Sequence, residues 1–381
     1  MVYQGWSSHT REHRPAPAGV ADLVAVAAQL AAVPADALVV DEPLQPFSPA
    51  LFGPQPRSFD EAALRAARAL VSPRRLPAPR RFEVGFLPLA EPVVALDLDQ
   101  LRAFLLHPAR SLLKERAALT LGDDAAPVEE LPLQLDQLER WQVGDRLLGR
   151  LLRGHDLAAA QHAEWLSGDL PPGNLGRRIL DEATATATRV AGAAAPFLAE
   201  EAALHTLDLT LDGVRLTGRA AARGEVSLTA QYGRVSPRSL AGAWLDALAL
   251  TVRLERPVDA VLIGGGQRTR LAAPEPDAAR ALLATLVALA VEGRQRVLPL
   301  PPRVGHLWAQ CRARRAEPQA DRGLAARWAW DSDAVWAAVL PQGAKPWDQP
   351  SAGDPWAQPG ERTLLGSLAA LVWAPILRAE H

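Results

Sequence analysis

Three short segments in the middle of the chain alternate between apolar and polar residues, which is the period of a half-buried strand. They lie at about 206–211, 214–221 and 225–231, and a short Arg-Gly turn joins the last two. A long apolar helix is predicted over 237–250, and the strand-like run AVLIGGG follows it. This alternation predicts an α/β fold in which helices flank a small mixed sheet.

The N-terminal part is predicted to be mainly helical and to end in a linker. GVADLVAVAAQLAAV has helical spacing, and Ser58 can cap a second helix. Prolines at 73, 77, 79 and 88 disfavour regular structure from Val71 to Ala90, so a domain boundary is predicted there. Beyond it, Asp97 or Asp99 is expected to cap a helix that Pro108 interrupts after His107.

Composition narrows the class of protein. The chain has 381 residues, 49% of them apolar, which is enough for a sizeable core. No uninterrupted apolar run reaches about 18 residues, and the N-terminus lacks the features of a signal peptide. The one cysteine, Cys311, excludes an internal disulfide and a multi-cysteine metal site and is interpreted as a small core residue. A cytoplasmic protein with no membrane contact is expected.

The charges of the chain almost balance, so any contact with DNA must be local. The 41 basic residues face 43 acidic ones, and nearly all the basic residues are arginine. Arginine suits forked contacts with phosphate, but a run of arginines is also typical of a solvated face or linker. The candidates for DNA contact are Arg74, Arg75, Arg80, Arg81, Arg312, Arg314 and Arg315.

The predicted strands on either side of Arg223 lack the acids that a metal-dependent nuclease needs. A nuclease of the restriction-endonuclease-like kind holds Mg²⁺ with an Asp on one strand and a (D/E)xK motif on the next. The first strand here has Ala220 and Ala221 in that place, and the second has Thr229-Ala230-Gln231. Alanine cannot bind a hard cation, so neither a metal nor catalysis is expected at this pair of strands.

Other chemistry has weaker support in the sequence. IGGGQRTR lacks the GxxxxGK[ST] signature of a phosphate loop and is predicted to form strand, tight turn and strand. No cofactor is therefore expected, although nucleotide binding at Gly264–Gly266 remains an alternative. Another alternative is an active nuclease that uses Asp208 and Asp212, since a spacing of four places both on one strand face. His107 is interpreted as a structural ring, not as a general base.

A series of collinear motifs resembles the C-terminal part of the RecC family, the gamma subunits of bacterial exodeoxyribonuclease V, the RecBCD complex. The motifs are, in order, HTREHRPAPAGVADL, LQPFSPALF, RSFDEAALRAA, LRAFLLHPARSLLKERAAL, LQLDQLERWQVGDRLLGRLL, GDLPPGNLG and RVSPRSLAGAWLDALAL. Together they extend over nearly the whole chain. The resemblance adds a fold and a function to what the residues indicate by themselves.

The resemblance implies a restriction-endonuclease-like domain of the PD-(D/E)XK type that is catalytically dead. Residues 1–85 would be the end of a helicase-like region with a Pro-rich linker, and 86–381 the nuclease-like domain. Active relatives have a histidine near Leu147 and Leu148, and those with an iron–sulfur cluster have a cysteine at the position of His107.

The implied function is that of a non-catalytic subunit in double-strand break repair. It would split duplex DNA ends, route the single strands and dock against RecB-like and RecD-like subunits. The family's upstream helicase-like domains read the recombination hotspot Chi, and Chi recognition is not expected of this chain. A module that contacts only protein is the remaining alternative.

Overall fold

The structure is a computed structural model that describes residues 16–43, 45–71, 87–89, 91–119 and 135–381. The chain forms two compact units. The first unit contains Met1–Arg80 with Asp124–Val128, and the second contains Arg81–Asp123 with Glu129–His381.

The first unit contains two described α-helices, α1 (Ala18–Ala31) and α2 (Glu61–Val71). Helix α1 confirms the helix predicted from GVADLVAVAAQLAAV. The cap predicted for the second helix is wrong by two residues, because the Asp60 carboxylate accepts the backbone N–H of Ala62 at 2.7 Å. Aspartate caps a helix at least as well as serine, so the helix begins at Glu61.

The second unit contains all the described strands and the remaining α-helices. Its elements are β1 (Ala95–Asp97), α3 (Leu98–Leu106), α4 (Pro108–Ala117), α5 (Gln137–Leu152), α6 (Leu157–Trp165), α7 (Asn174–Leu198), β2 (Ala203–Leu211), β3 (Val214–Ala222), β4 (Val226–Gln231), α8 (Pro237–Leu254), β5 (Asp259–Gly264), β6 (Gln267–Leu271), α9 (Pro276–Glu292), α10 (Pro302–Ala313), α11 (Gly323–Asp331), α12 (Ala334–Val339) and α13 (Leu364–Ala379). Asp97 caps α3, and the chain breaks at His107 as predicted. The predicted α/β class is therefore confirmed.

The first sheet has the strand order β1-β3-β2. Strands β2 and β3 form an antiparallel hairpin, and β1 lies parallel to β3 on its other side. The hairpin turns at Asp212 and Gly213, whose φ values are +46° and +85°. Positive φ at both central residues is what a tight two-residue hairpin requires, and Asp-Gly supplies it with little strain.

The second sheet has the strand order β4-β5-β6. The predicted hairpin of β3 and β4 is correct at its turn but wrong in the pairing of the two strands. Arg223 and Val226 exchange two backbone hydrogen bonds of 2.8 and 3.1 Å, which forms the predicted turn. Beyond that pair the strands separate, and β4 pairs in parallel with β5. Strand β5 is buried along nearly its whole length, so it takes the centre of its own sheet.

Helix α8 packs against both sheets and has more buried residues than any other described helix. It begins at Pro237 behind a capping box made by Ser236 and Ser239. Its buried side chains, including those of Leu245 and Leu248, join the main apolar core with residues of β2, β3 and β5. One helix therefore holds the two sheets in a single core.

The other face of the second sheet is covered by α5, α6 and α7. Leu147 and Leu148 of α5 pack with Val261 and Ile263 of β5 in a separate apolar cluster. The carboxylate of Glu164 in α6 is fully buried and pairs with Arg146 of α5 at 2.9 Å. No helix in the described part of the chain is long and apolar enough to cross a membrane.

Truncating the centre of α8 should destabilise the protein far more than truncating an exposed helix position. Leu248 is 0% exposed, whereas Leu138 of α5 is 60% exposed. We expect Leu248→Ala to lower the free energy of unfolding by about 2–5 kcal/mol, through lost burial and the cavity left behind. The control, Leu138→Ala, should change it by less than about 0.5 kcal/mol. Chemical denaturation measures both, and equal effects would contradict this packing.

Candidate functional site

The two alanines on β3 lie in opposite environments. Ala220 is 5% exposed and belongs to the main core with Leu245 and Leu248 of α8. Ala221 is exposed on the other face and pairs across the hairpin with Leu204. Because side chains alternate along a strand, only one of these positions can face any common site.

Strand β4 presents its three candidate residues on two faces. Thr229, Ala230 and Gln231 pair in register with Leu262, Ile263 and Gly264 of β5. Ala230 packs into the cluster under α5 and α7, while Thr229 and Gln231 share the opposite face. The Gln231 amide donates to the backbone carbonyl of Arg234 at 2.5 Å. These side chains pack and hydrogen-bond within the protein, and none offers a carboxylate to a cation.

The alternative acids, Asp208 and Asp212, are not arranged as a pair of metal ligands. Both oxygens of Asp208 accept hydrogen bonds of 2.7 Å from the Arg215 guanidinium. Hydrogen bonding to Arg215 lowers the pKa of Asp208 and keeps it ionised. Asp212 occupies the hairpin turn beyond the end of β2. Among the described residues, no three His, Cys, Asp or Glu side chains are grouped so that they could hold a metal ion.

The glycine-rich segment forms the predicted strand, turn and strand. Gly264 ends β5, and Gly265 and Gly266 turn the chain with φ values of +51° and +87°. Strand β6 follows at once and pairs back onto β5. A phosphate loop needs a helix N-terminus directly after its glycines, and this hairpin provides a strand instead.

The arginines predicted to contact DNA lie in different environments. Arg74, Arg75, Arg80 and Arg81 lie outside the described residues. Arg312 is held by Glu361 at 2.9 Å and by Glu317 at 3.2 Å, so its charge is already neutralised within the protein. Arg314 and Arg315 follow the end of α10 and are exposed.

His107 has the structural role expected of it. Its Nδ1 accepts the backbone N–H of Arg110 at 3.0 Å, which caps α4, and its Nε2 lies 3.0 Å from Asp333. The ring stacks on Trp336 with 5.1 Å between centroids. Burial lowers the pKa of His107 despite the Asp333 carboxylate, so the neutral ring serves as a fixed cap.

Sequence inspection missed a contact between an exposed tryptophan and an arginine on neighbouring helices. The Arg303 guanidinium of α10 lies 5.3 Å from the ring centroid of Trp330 on α11. Trp328, two residues earlier, instead packs against the core and against Trp336. Residues two apart on a helix point to different sides, so Trp328 and Trp330 cannot both face the core, but the sequence does not indicate which one faces solvent.

The fold and these positions define an α/β protein with two three-stranded sheets that carries no carboxylate at residues 220, 221 and 229–231. A family model described as the RecC C-terminal domain matches residues 94–313. The RecBCD enzyme subunit RecC of Mycobacterium tuberculosis (strain ATCC 25618 / H37Rv) is 34% identical over 411 aligned residues that cover 100% of this chain. That of Mycolicibacterium smegmatis is 31% identical over 408. The chain belongs to the RecC family, and it spans 36% of the length of both relatives.

Introducing an acid at each β3 alanine should separate a core position from a surface one. Ala220→Asp places an unpaired charge in the main core, and we expect a loss of about 3 kcal/mol or more in unfolding free energy. Ala221→Asp is the matched control on the exposed face, with an expected loss below about 1 kcal/mol. Thermal and chemical denaturation measure both, and a tolerated Ala220→Asp would contradict the assignment of that position to the core.

Stability should fall on mild acidification because of His306 in α10. Burial, aided by the charge of Arg327, lowers the pKa of His306 from 6.5 to about 4. Below pH 6.5 the unfolded chain therefore binds a proton that the folded protein does not, and stability is lost progressively down to about pH 4. Urea denaturation at about pH 7.5, 6 and 5 should give a shallower pH dependence for His306→Leu. Exposed His155→Leu should keep the full dependence, and an unchanged slope in His306→Leu would exclude this cause.

Proposed function

We propose that this chain acts within a non-catalytic subunit of a RecBCD-type ATP-dependent helicase–nuclease. The assembly would process double-strand breaks in the cytoplasm for repair by homologous recombination. This chain would help to split duplex ends and route the separated strands, while RecB-like and RecD-like subunits hydrolyse ATP and cleave DNA. The observation that carries the proposal is the absence of any carboxylate at 220, 221 and 229–231 in a chain that matches RecC subunits from end to end.

We further propose that the second unit has a catalytically dead core of the restriction-endonuclease-like type. The order β2, β3, β4, α8, β5 supports this, since three successive strands precede a helix that crosses to a parallel fourth strand. The place where β3 and β4 separate is where a nuclease of this kind needs its acids. In this proposal, residues 1–85 end the helicase-like region with its linker, and 86–381 form the nuclease-like domain.

The side chains at the strand separation support a structural role for this core. Glu225, in the turn itself, is 85% exposed at its side chain and lies 3.9 Å from Arg256. Exposed ion pairs at that distance contribute little to stability, and a single solvated carboxylate does not hold Mg²⁺. What remains of a nuclease at this place is the backbone path, which is what a docking or strand-guiding domain would keep.

The subunit assignment predicts a stable complex with the RecB-like and RecD-like proteins of the same organism. Size-exclusion chromatography with light scattering should give one species whose mass includes this chain. The partners alone and this chain alone are the controls for folding. Elution of all three components as separate folded proteins would contradict docking by this chain.

Two further measurements distinguish this proposal from its alternatives. Weak single-strand binding at low salt that falls steeply with added salt is expected of strand routing, whereas a protein-only module would not bind DNA. Mg²⁺-dependent cleavage by the unmutated chain that Asp212→Ala abolishes would favour an active nuclease instead. An increase in melting temperature with added nucleotide would indicate a nucleotide site at Gly264–Gly266.

A further inference from the structure

Trp330 is an isolated apolar side chain on a polar surface. It is 71% exposed, and from residue 205 to 381, all of which the structure describes, it is the only large apolar side chain classed as exposed. A tryptophan at a protein interface is usually surrounded by other contacts that exclude water. Trp330 has no such apolar surroundings. Its exposure therefore favours a ligand that stacks on the face of the indole ring over a protein partner that buries a wide apolar surface.

The ring of Trp330 is braced on one side. Arg303 lies over it at 5.3 Å, and the Arg303 Nη1 donates to the Trp330 carbonyl at 3.4 Å. Asp331, the next residue, is buried and accepts the backbone N–H groups of Arg303 and Val304 at 2.7 and 3.2 Å. These contacts fix the end of α11 to the start of α10, so the ring is held in place with its second face open.

The surroundings of Trp330 carry excess positive charge. Arg327 precedes Trp330 by three residues on α11 and is exposed on the same side of the helix. Arg238, at the start of α8, lies 4.0 Å from Asp331. Neither Arg303 nor Arg327 forms a salt bridge with a carboxylate in the part of the chain that the structure describes. Arg303 and Arg238 therefore lie beside one buried carboxylate, and Arg327 adds a third guanidinium group one helical turn before Trp330, which leaves positive charge available for an anion.

We propose that Trp330, with Arg303, Arg327 and Arg238, binds single-stranded DNA by stacking one base on the open ring face and holding adjacent phosphates. An aromatic platform beside cations is the combination by which proteins hold single strands without sequence preference. A duplex hides its base faces inside the stack, so this surface favours separated strands. The inference rests on the proposed role in strand routing and assigns one of its contact sites.

Binding of the full 381-residue chain to a fluorescein-labelled thymidine oligonucleotide, measured by anisotropy at low salt, tests the assignment. We expect Trp330→Ala to weaken binding about 5- to 150-fold, the range found for loss of one stacked base. Trp330→Phe should retain most of the affinity, because a phenyl ring still stacks. Trp141→Ala is the matched control, since Trp141 is 41% exposed on α5 and lies outside the proposed site.

The salt dependence of single-strand binding tests the contribution of the arginines. Arg327→Gln should reduce the slope of log affinity against log salt by about 0.7, the value for one lost phosphate contact on a single strand. Melting temperatures near that of the unmutated chain would show that the variants fold. Unchanged affinity in Trp330→Ala together with an unchanged slope in Arg327→Gln would overturn the assignment.

The outcomes separate this inference from the function on which it rests. If the unmutated chain binds no single strand at any salt concentration, strand routing by this chain and the Trp330 site both fail. If it binds and Trp330→Ala binds equally well, only the Trp330 site fails. If Trp330→Ala leaves DNA binding intact but removes association with the RecB-like or RecD-like protein, the surface is a protein interface and the DNA assignment is wrong.

Discussion

The second unit depends on the burial of α8 between its two sheets. Most of the residues of α8 are buried, and strands of both sheets share its apolar core, so water is excluded from this helix and from the sheet faces that it covers. Gly242 lets the Arg102 guanidinium approach the α8 backbone, where its Nη1 donates to the Gly242 carbonyl at 3.3 Å. The bidentate pair between Arg102 of α3 and Asp246, with a shortest contact of 2.7 Å, adds a directional constraint where α8 reaches the edge of the core.

The same burial explains why the core position on β3 carries no acid. A carboxylate at Ala220 would need a cation or hydrogen-bond donors in the core, and without them it would cost several kcal/mol. Alanine at 220 packs in the main core and at 230 in the cluster under α5 and α7, and neither needs a partner for a charge. Membership of the RecC family and the absence of carboxylates at residues 220, 221 and 229–231 are thus compatible with one stable core.

Some arginines form salt bridges within the protein, and others remain available to bind a ligand. Arg312, Arg146 and Arg215 are engaged by carboxylates, so their presence in the sequence says little about DNA. Arg303, at the start of α10, instead lies over the exposed ring of Trp330, and Arg327 is exposed on α11. Counting arginines could not make this distinction, because a salt bridge between residues far apart in sequence depends on helix packing.

The sequence by itself determined the α/β class, the Asp97 cap, the break at His107 and the Gly264–Gly266 hairpin, because each depends on local backbone preferences. It also determined that no acid stands at 220, 221 or 229–231. Only the tertiary structure decided that β3 and β4 belong to different sheets. The backbone of β4 pairs with β5, which follows α8 in the chain, and not with the adjacent β3. The outward orientation of Trp330 was decided in the same way, because the packing of α11 turns Trp328 toward the core and leaves Trp330 facing solvent.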